Sequence, residues 1–107
     1  MKTLKEYLLT ESENYLSEIT MCTISFVDYL YNEGVIAYDD KHLKAIKRKK
    51  AEPDYEDICN GILNEGYKIS DKAKTELKNY IKNQSSKEVE NAIMQGILQF
   101  CQEAYIR

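Results

Sequence analysis

The chain has 107 residues, of which 43% are hydrophobic and 31% charged, and its formal net charge is −3. That length suits a single domain over residues 1–107, with enough chain to bury a core without metals or disulfides. The hydrophobic content excludes an intrinsically disordered protein. No apolar run approaches the roughly 18 residues of a membrane span, and the first residues lack the pattern of a signal peptide. We therefore expect a cytoplasmic protein that makes no membrane contact.

Charge is distributed unevenly along the chain. Residues 1–40 hold two lysines and eight acids, residues 41–50 hold six basic residues and no acid, and residues 51–107 hold seven basic residues and ten acids. The basic segment 41–50 is the strong charge feature of the sequence. Lysine outnumbers arginine 13 to 2, a composition typical of AT-rich coding sequences and a hint of a low-GC bacterium, a phage or another mobile element.

The first third of the chain predicts two helices. A short helix is expected over 4–9, and the polar run 10–14 interrupts the apolar stripe, so we expect a break there. Apolar residues then recur at helical spacing over 13–33. The run 19–27 is rich in β-branched residues, which makes a strand followed by a hairpin turn at 32–34 the alternative.

Glycine and aspartate mark the next boundaries. Gly34 suits the left-handed position just after the end of a helix. Asp39 or Asp40 suits the cap of a basic helix that runs to about Lys50. Pro53 is expected in the first turn of the helix that follows.

The second half of the chain predicts three helices. The first covers 54–65 and ends at Gly66. The second covers 70–83 and begins with a serine suited to the cap. The run 85–88 has the form of a capping box for the last helix, over 87–106.

A short internal echo links the two halves. The sequence Asn-Glu-Gly at 32–34 recurs at 64–66. The echo predicts either a duplicated helix–joint–helix unit or two independent uses of the same helix-stop chemistry. Both interpretations predict the same fold class, all-α, as a single-domain bundle of five to six helices. The helices at 13–33 and 87–106 are expected to form its core.

The last helix is expected to bury about half of its surface. On a helical projection its apolar residues fill an arc of about 180°, interrupted only by Glu90, whereas a helix at the edge of a bundle needs little more than about 100°. The arc comprises Val89, Ile93, Met94, Ile97, Leu98, Phe100, Cys101, Ala104 and Tyr105. The helix over 13–33 has a broad apolar face, and the helices over 54–65 and 71–83 have narrow stripes. Together they either just cover the arc in a monomer or leave one side of it to contact a partner protein or a second copy of the chain. That side comprises Met94, Leu98, Cys101 and Tyr105.

Tyrosine is the second indication of protein binding. The chain has nine tyrosines and no tryptophan, and tyrosine is enriched at interfaces because it combines a large apolar ring with a polar tip. Tyr31 and Tyr38 lie on either side of Gly34 and are added to the candidate partner-binding residues. The alternative is that these tyrosines only cover the core.

Catalytic chemistry has little support in the sequence. His42 is the only histidine, and Cys22, Cys59 and Cys101 are far apart, with no pair at metal-binding or redox spacing. The four glycines are isolated, so a phosphate-binding loop is not predicted. We expect buried, reduced thiols, no cofactor, no metal and no enzymatic activity.

The basic segment makes nucleic-acid binding the main alternative. Its phosphate-binding candidates are Lys44, Lys47, Arg48, Lys49 and Lys50. Aromatic neighbours for base stacking are limited to Tyr38 and Tyr55. A helix-turn-helix is not predicted at either glycine joint, because the residue six positions later is charged in both cases. We therefore favour a small non-enzymatic protein-binding module, such as a regulator, inhibitor or accessory factor.

Overall fold

A computed structural model describes residues 4–34, 36–83 and 85–106. Within these residues the chain forms five α-helices and no strand, which confirms the all-α prediction. The helices are α1 (Leu4–Asn32), α2 (Asp40–Lys47), α3 (Tyr55–Asn64), α4 (Asp71–Asn83) and α5 (Lys87–Glu103), and a short 3-10 helix covers Ile36–Tyr38.

The first helix is continuous, so the predicted break at 10–14 was wrong. The polar residues of that run remove the apolar stripe, but none of them is a glycine or proline that would stop a helix. The strand alternative for 19–27 is also wrong, because this segment lies within α1. Ile19 and Val27 are fully buried on one face of that helix. With 29 residues, α1 is about 44 Å long. That length accounts for the longest dimension of the molecule, 46 Å.

Helix ends agree with the local chemistry at most boundaries. Gly34 and Gly66 have φ values of 75° and 74°, as expected for residues just beyond a helix. The Asp39 carboxylate accepts the amide of His42 at 2.9 Å and caps α2. The Ser70 hydroxyl accepts the amide of Ala73 at 3.2 Å and caps α4.

Four predicted boundaries were wrong. Helix α5 ends at Glu103 instead of 106. Helix α2 ends at Lys47 instead of Lys50. Pro53 precedes the cap of α3, which is Asp54, and therefore lies before the first turn. Ser86 caps α5 by accepting the amide of Val89 at 3.2 Å. A capping box over 85–88 would need Ser85 at the cap position, so the predicted box is not formed.

Helices α1 and α5 form the core, as predicted. They run parallel, because their contacts advance together from Tyr15 with Glu88 at one end to Tyr31 with Phe100 at the other. Between these ends Gly96 lies directly against α1. A Cβ atom at Gly96 would come within 2.7 Å of the Thr20 carbonyl oxygen, so only glycine permits this spacing.

The buried arc of α5 is as wide as predicted but differently placed. Ala92 and Gly96, which have little or no side chain, are both buried and face α1. Because these two residues are part of it, the buried arc is rotated by about 60° around the helix from the predicted arc. Met94 and Leu98 consequently lie at its edge and are partly exposed.

Two tyrosine hydroxyls tie the first turn of α5 to its neighbours. Tyr15 on α1 donates to Glu88 at 3.1 Å, and Tyr80 on α4 donates to Glu90 at 2.7 Å. Glu90 had no role in the predicted arc, and this hydrogen bond explains its position on the inner face. Both carboxylates are also favoured by their place at a helix N-terminus.

The remaining helices cover the two long ones. Helices α3 and α4 pack against each other and against α1 and α5, whereas α2 packs against α5 and the 3-10 helix. The Ser70 amide and hydroxyl donate to the Glu18 carboxylate at 3.1 and 2.6 Å, which fastens the start of α4 to α1. The two echoed joints thus lead to helices that pack differently, which favours two independent uses of helix-stop chemistry.

Replacing Gly96 by alanine should destabilise the protein. The added methyl group would overlap the α1 backbone, and overpacking of this kind costs about 1–3 kcal/mol. Better helix propensity returns only about 1 kcal/mol. Urea unfolding should therefore give a lower free energy of unfolding. Asn91→Ala, at an exposed position of the same helix, is the control, and a Gly96→Ala variant more stable than wild type would contradict the tight contact.

Alkaline pH should destabilise the fold through Tyr15. Burial and the hydrogen bond to Glu88 raise the pKa of Tyr15 to about 12, whereas the unfolded chain has a tyrosine pKa near 10. The neutral phenol therefore stabilises the folded state fully below about pH 10, and that contribution is lost as the pH rises toward about 12. Urea unfolding at increasing pH should show a smaller decline in Tyr15→Phe than in wild type. Equal declines would contradict this origin.

Candidate functional site

A small cleft lies between the end of α2 and the outer side of α5. Its volume is about 260 Å³. The lining residues are Ile46, Lys47, Lys49, Ala51, Glu52, Met94 and Leu98. We call it the α2–α5 cleft. It brings together two sets of residues that the sequence predicts as separate sites, the apolar edge of α5 and the basic segment.

The cleft exists because α2 is too short to cover α5 completely. Helix α2 has eight residues, and its two buried apolar side chains are Leu43 and Ile46, which are 0% and 1% exposed. These two side chains hold α2 against the core. Met94 and Leu98 stay partly exposed beside it, and the chain that follows α2 forms the other wall.

Four of the predicted partner-binding residues lie elsewhere. The predictions for Cys101 and Tyr38 were wrong, because these side chains are 0% and 2% exposed. Tyr31 is partly buried: its ring packs on Phe100 with centroids 5.5 Å apart, and its hydroxyl donates to Asp40 at 2.7 Å. Tyr105 is 81% exposed but lies beyond the end of α5, so it does not continue the stripe of that helix.

The basic segment is largely free of internal partners. Arg48, Lys49 and Lys50 are exposed and Lys44 partly so. The Lys47 ammonium donates to the carbonyl of Ile106 at 2.8 Å, where a cation also suits the C-terminal end of α5. Among the described residues the ion pairs are Lys72–Glu76 and Lys87–Glu90. In that part of the chain no cation of 41–50 is therefore paired with a carboxylate.

The end of α2 holds Lys49 in an unusual backbone conformation. Its φ is 60°, in the left-handed region that costs a residue with a side chain about 1–2 kcal/mol. The Lys50 amide donates to the Ala45 carbonyl at 2.8 Å, and the Lys49 amide donates to the Ile46 carbonyl at 3.0 Å. This is the Schellman arrangement, in which glycine is the usual residue.

The end of α5 repeats this arrangement with a tyrosine. Tyr105 has a φ of 56°. The Ile106 amide donates to the Cys101 carbonyl at 2.9 Å, and the Ile106 side chain is 5% exposed. The Ile106 carbonyl accepts the Lys47 ammonium, so the two strained helix ends adjoin. No glycine marks either end in the sequence, so sequence reasoning missed both.

The surroundings of the three cysteines and of His42 indicate structural roles for these residues. The three thiols are free and buried, as predicted. Burial raises the pKa of Cys59 to about 12, which favours the protonated thiol over a nucleophilic thiolate. Burial also raises the pKa of Cys22 and Cys101. The His42 ring packs edge-on against Tyr38, with centroids 5.7 Å apart.

Two other surfaces expose apolar side chains that the sequence does not single out. A shallow groove of about 480 Å³ between α1 and α5 contains Met21, which is 60% exposed. Its polar lining includes Ser17, Asn91 and Gln95. The 3-10 helix exposes 82% of Ile36. The groove that contains Ile36 is lined by one cation, Lys41, and by Asp39 and Asp40, and the lining of the groove with Met21 has no cation. The α2–α5 cleft is therefore the more specific candidate.

In the part of the chain that the structure describes, no three His, Cys, Asp or Glu side chains are grouped as a metal ion would require. No helix formed by those residues is long and apolar enough to cross a membrane. Comparison with protein-family models, curated proteins and solved structures gave no match to this chain.

Replacing Lys49 or Tyr105 by glycine should stabilise the protein. Glycine adopts a positive φ without the steric cost of a Cβ atom, and relief of that strain is expected to add about 1 kcal/mol to the free energy of unfolding. Thermal and urea unfolding measure the effect. Lys50→Gly, next to Lys49 at an exposed position, is the control and should not stabilise. Loss of stability in both glycine variants would contradict the assigned strain.

Proposed function

We propose that the protein is a non-enzymatic binding module, such as a small regulator, inhibitor or accessory factor, which binds another protein through the α2–α5 cleft. The observation that supports this most directly is the placement of partly exposed Met94 and Leu98 beside Lys47 and Lys49. An apolar centre with a polar or charged rim is the usual anatomy of a protein interface. Binding energy concentrates where such a centre is filled by the partner.

The size of the cleft fits a protein contact better than a cofactor. Its volume of about 260 Å³ lies below the roughly 300–1,000 Å³ of typical small-molecule sites. Single side chains that dominate a protein interface fill pockets of this kind, and the surrounding surface excludes water from the contact. The exposed Arg48 and Lys50 extend that surface beyond the cleft.

A second copy of the chain fits this surface less well than another protein. A two-fold dimer brings the same patch of both subunits together. With the two-fold axis at the cleft, the six cations of 41–50 would lie close to the same six of the copy, and like charges in contact weaken an interface.

Nucleic-acid binding through 41–50 is the second candidate. Cations without carboxylate partners are available to neutralise phosphates. The two aromatic residues that could support it are engaged elsewhere, however. Tyr38 is buried, and the Tyr55 ring packs edge-on against Tyr80 with centroids 6.4 Å apart. Tyr105 is exposed and close in sequence to the Ile106 carbonyl that Lys47 contacts, but it is one ring and does not line the cleft. Nucleic-acid binding therefore has less support than protein binding.

A cytosolic location is part of the proposal. Free, buried thiols such as these three are typical of proteins in reducing compartments. The origin in a low-GC bacterium, phage or other mobile element stays a prediction from composition.

Replacing Met94 by glutamine should abolish partner capture without unfolding the protein. Glutamine matches methionine in length, but its amide places a polar group in the cleft. Loss of a hot-spot contact costs about 2 kcal/mol or more, which is roughly a thirtyfold weaker dissociation constant. The measurement is affinity capture from an extract of the source cell, followed by titration of each captured protein. Met21→Gln introduces the same change in the other groove and should bind as wild type.

Several outcomes would contradict the proposal. Equal capture by wild type and Met94→Gln would remove the cleft as the binding site. Capture of nuclease-sensitive RNA or DNA that is lost on changing Lys49 and Lys50 to glutamate would favour the second candidate. No captured protein, together with a monomer in light scattering, would contradict protein binding altogether.

A further inference from the structure

The α2–α5 cleft is shaped to receive one bulky apolar side chain. Ile46, which is 1% exposed, contributes to its lining together with Met94 and Leu98. Its volume of about 260 Å³ is several times the roughly 30 Å³ that one water molecule occupies. An aliphatic or aromatic side chain therefore fills it with apolar contacts, whereas a charged head group would lose its hydration there.

The charges around the cleft favour an acidic binding partner. Lys47 and Lys49 are among the lining residues and Glu52 is the one acid among them. Arg48 and Lys50 adjoin them in the chain and are exposed. No carboxylate of the described residues pairs with any of these four cations. Their charge is thus available to a molecule that binds across the cleft.

We infer that the partner presents an acidic stretch of polypeptide that carries one bulky aliphatic or aromatic side chain. The apolar side chain enters the cleft between Met94 and Leu98. Aspartate or glutamate residues on either side of it meet the cations at the end of α2. This inference rests on the proposed function and specifies the chemistry of the partner.

The backbone of Lys49 is an independent observation that points to the same surface. A residue with φ of 60° is strained unless it is glycine. Strain of this kind is characteristic of binding and switch regions. Glycine would end the helix here with less conformational strain, whereas lysine places a cation at the wall of the cleft. Lys49 is therefore assigned a direct contact with an acid of the partner.

Other occupants match the surface less well. A nucleobase needs an aromatic or planar surface to stack on, and the apolar lining consists of aliphatic side chains and the methionine. A neutral lipid or detergent chain would match the apolar lining but would leave the basic rim without a partner. An acidic peptide satisfies both the apolar centre and the basic rim.

Selection from a random peptide library on the full-length protein tests the inference. Enriched peptides should combine a net negative charge with one bulky apolar residue. Binding of a synthetic copy should weaken about tenfold or more when Lys49 and Lys50 become glutamate, and should depend steeply on salt. Lys74→Glu with Lys78→Glu, a matched charge change at exposed positions of α4, should leave the dissociation constant unchanged. Met94→Gln should weaken it, and Met21→Gln should not.

The outcomes separate this inference from the proposed function. Enriched peptides that are neutral or basic, yet lose binding in Met94→Gln, would overturn the acidic partner and leave the cleft as a protein-binding site. Selection that yields no peptide sensitive to Met94→Gln would overturn the inference. The proposed function would nevertheless stand if the wild-type protein captures a natural partner from extract and the Met94→Gln variant does not. Oligonucleotides that bind as tightly as the best peptides, and lose binding in the glutamate variants, would assign the basic rim to nucleic acid instead.

Discussion

The close approach of α1 and α5 at Gly96 sets the geometry of the molecule. Because this residue has no Cβ atom, the α1 backbone around Thr20 can lie directly against α5. The Thr20 hydroxyl also donates to the carbonyl of Ala92 at 3.0 Å, and Thr23 is fully buried with its hydroxyl bonded to the Ile19 carbonyl at 2.8 Å. Two helices held this close have little freedom to rotate, so the rotational position of α5 follows from this contact.

That position decides which part of α5 remains for other contacts. With Gly96 and Ala92 facing α1, the edge that contains Met94 and Leu98 turns away from α1. Helix α2 reaches this edge and covers part of it, and the uncovered part becomes the cleft. The cations at the end of α2 lie beside this edge, where the Lys47 ammonium donates to the Ile106 carbonyl just beyond α5. The apolar edge and the basic rim of the candidate site are thus two consequences of one helix–helix contact.

The helix ends show where the sequence accepts a cost in stability. Glycine occupies the left-handed positions after α1 and α3, at Gly34 and Gly66, where the chain only has to turn. Lysine and tyrosine occupy the corresponding positions after α2 and α5, at Lys49 and Tyr105. Both side chains are exposed at the end of the molecule that contains the cleft. The strain is therefore found beside the candidate site and not at the joints that only connect helices.

Local chemistry was enough to predict the fold class, the glycine joints and the caps of α2 and α4, because a cap such as Ser70 needs only the amides of the following turn. The apolar spacing also predicted the width of the buried arc of α5. The position of that arc could not be predicted in the same way. Gly96 adds nothing to a helical projection, since its contribution is the absence of a side chain, and this matters only once another helix lies against it. The meeting of Lys47 with Met94 is likewise a product of packing, because residues far apart in the chain become neighbours only when the helices that carry them share a face.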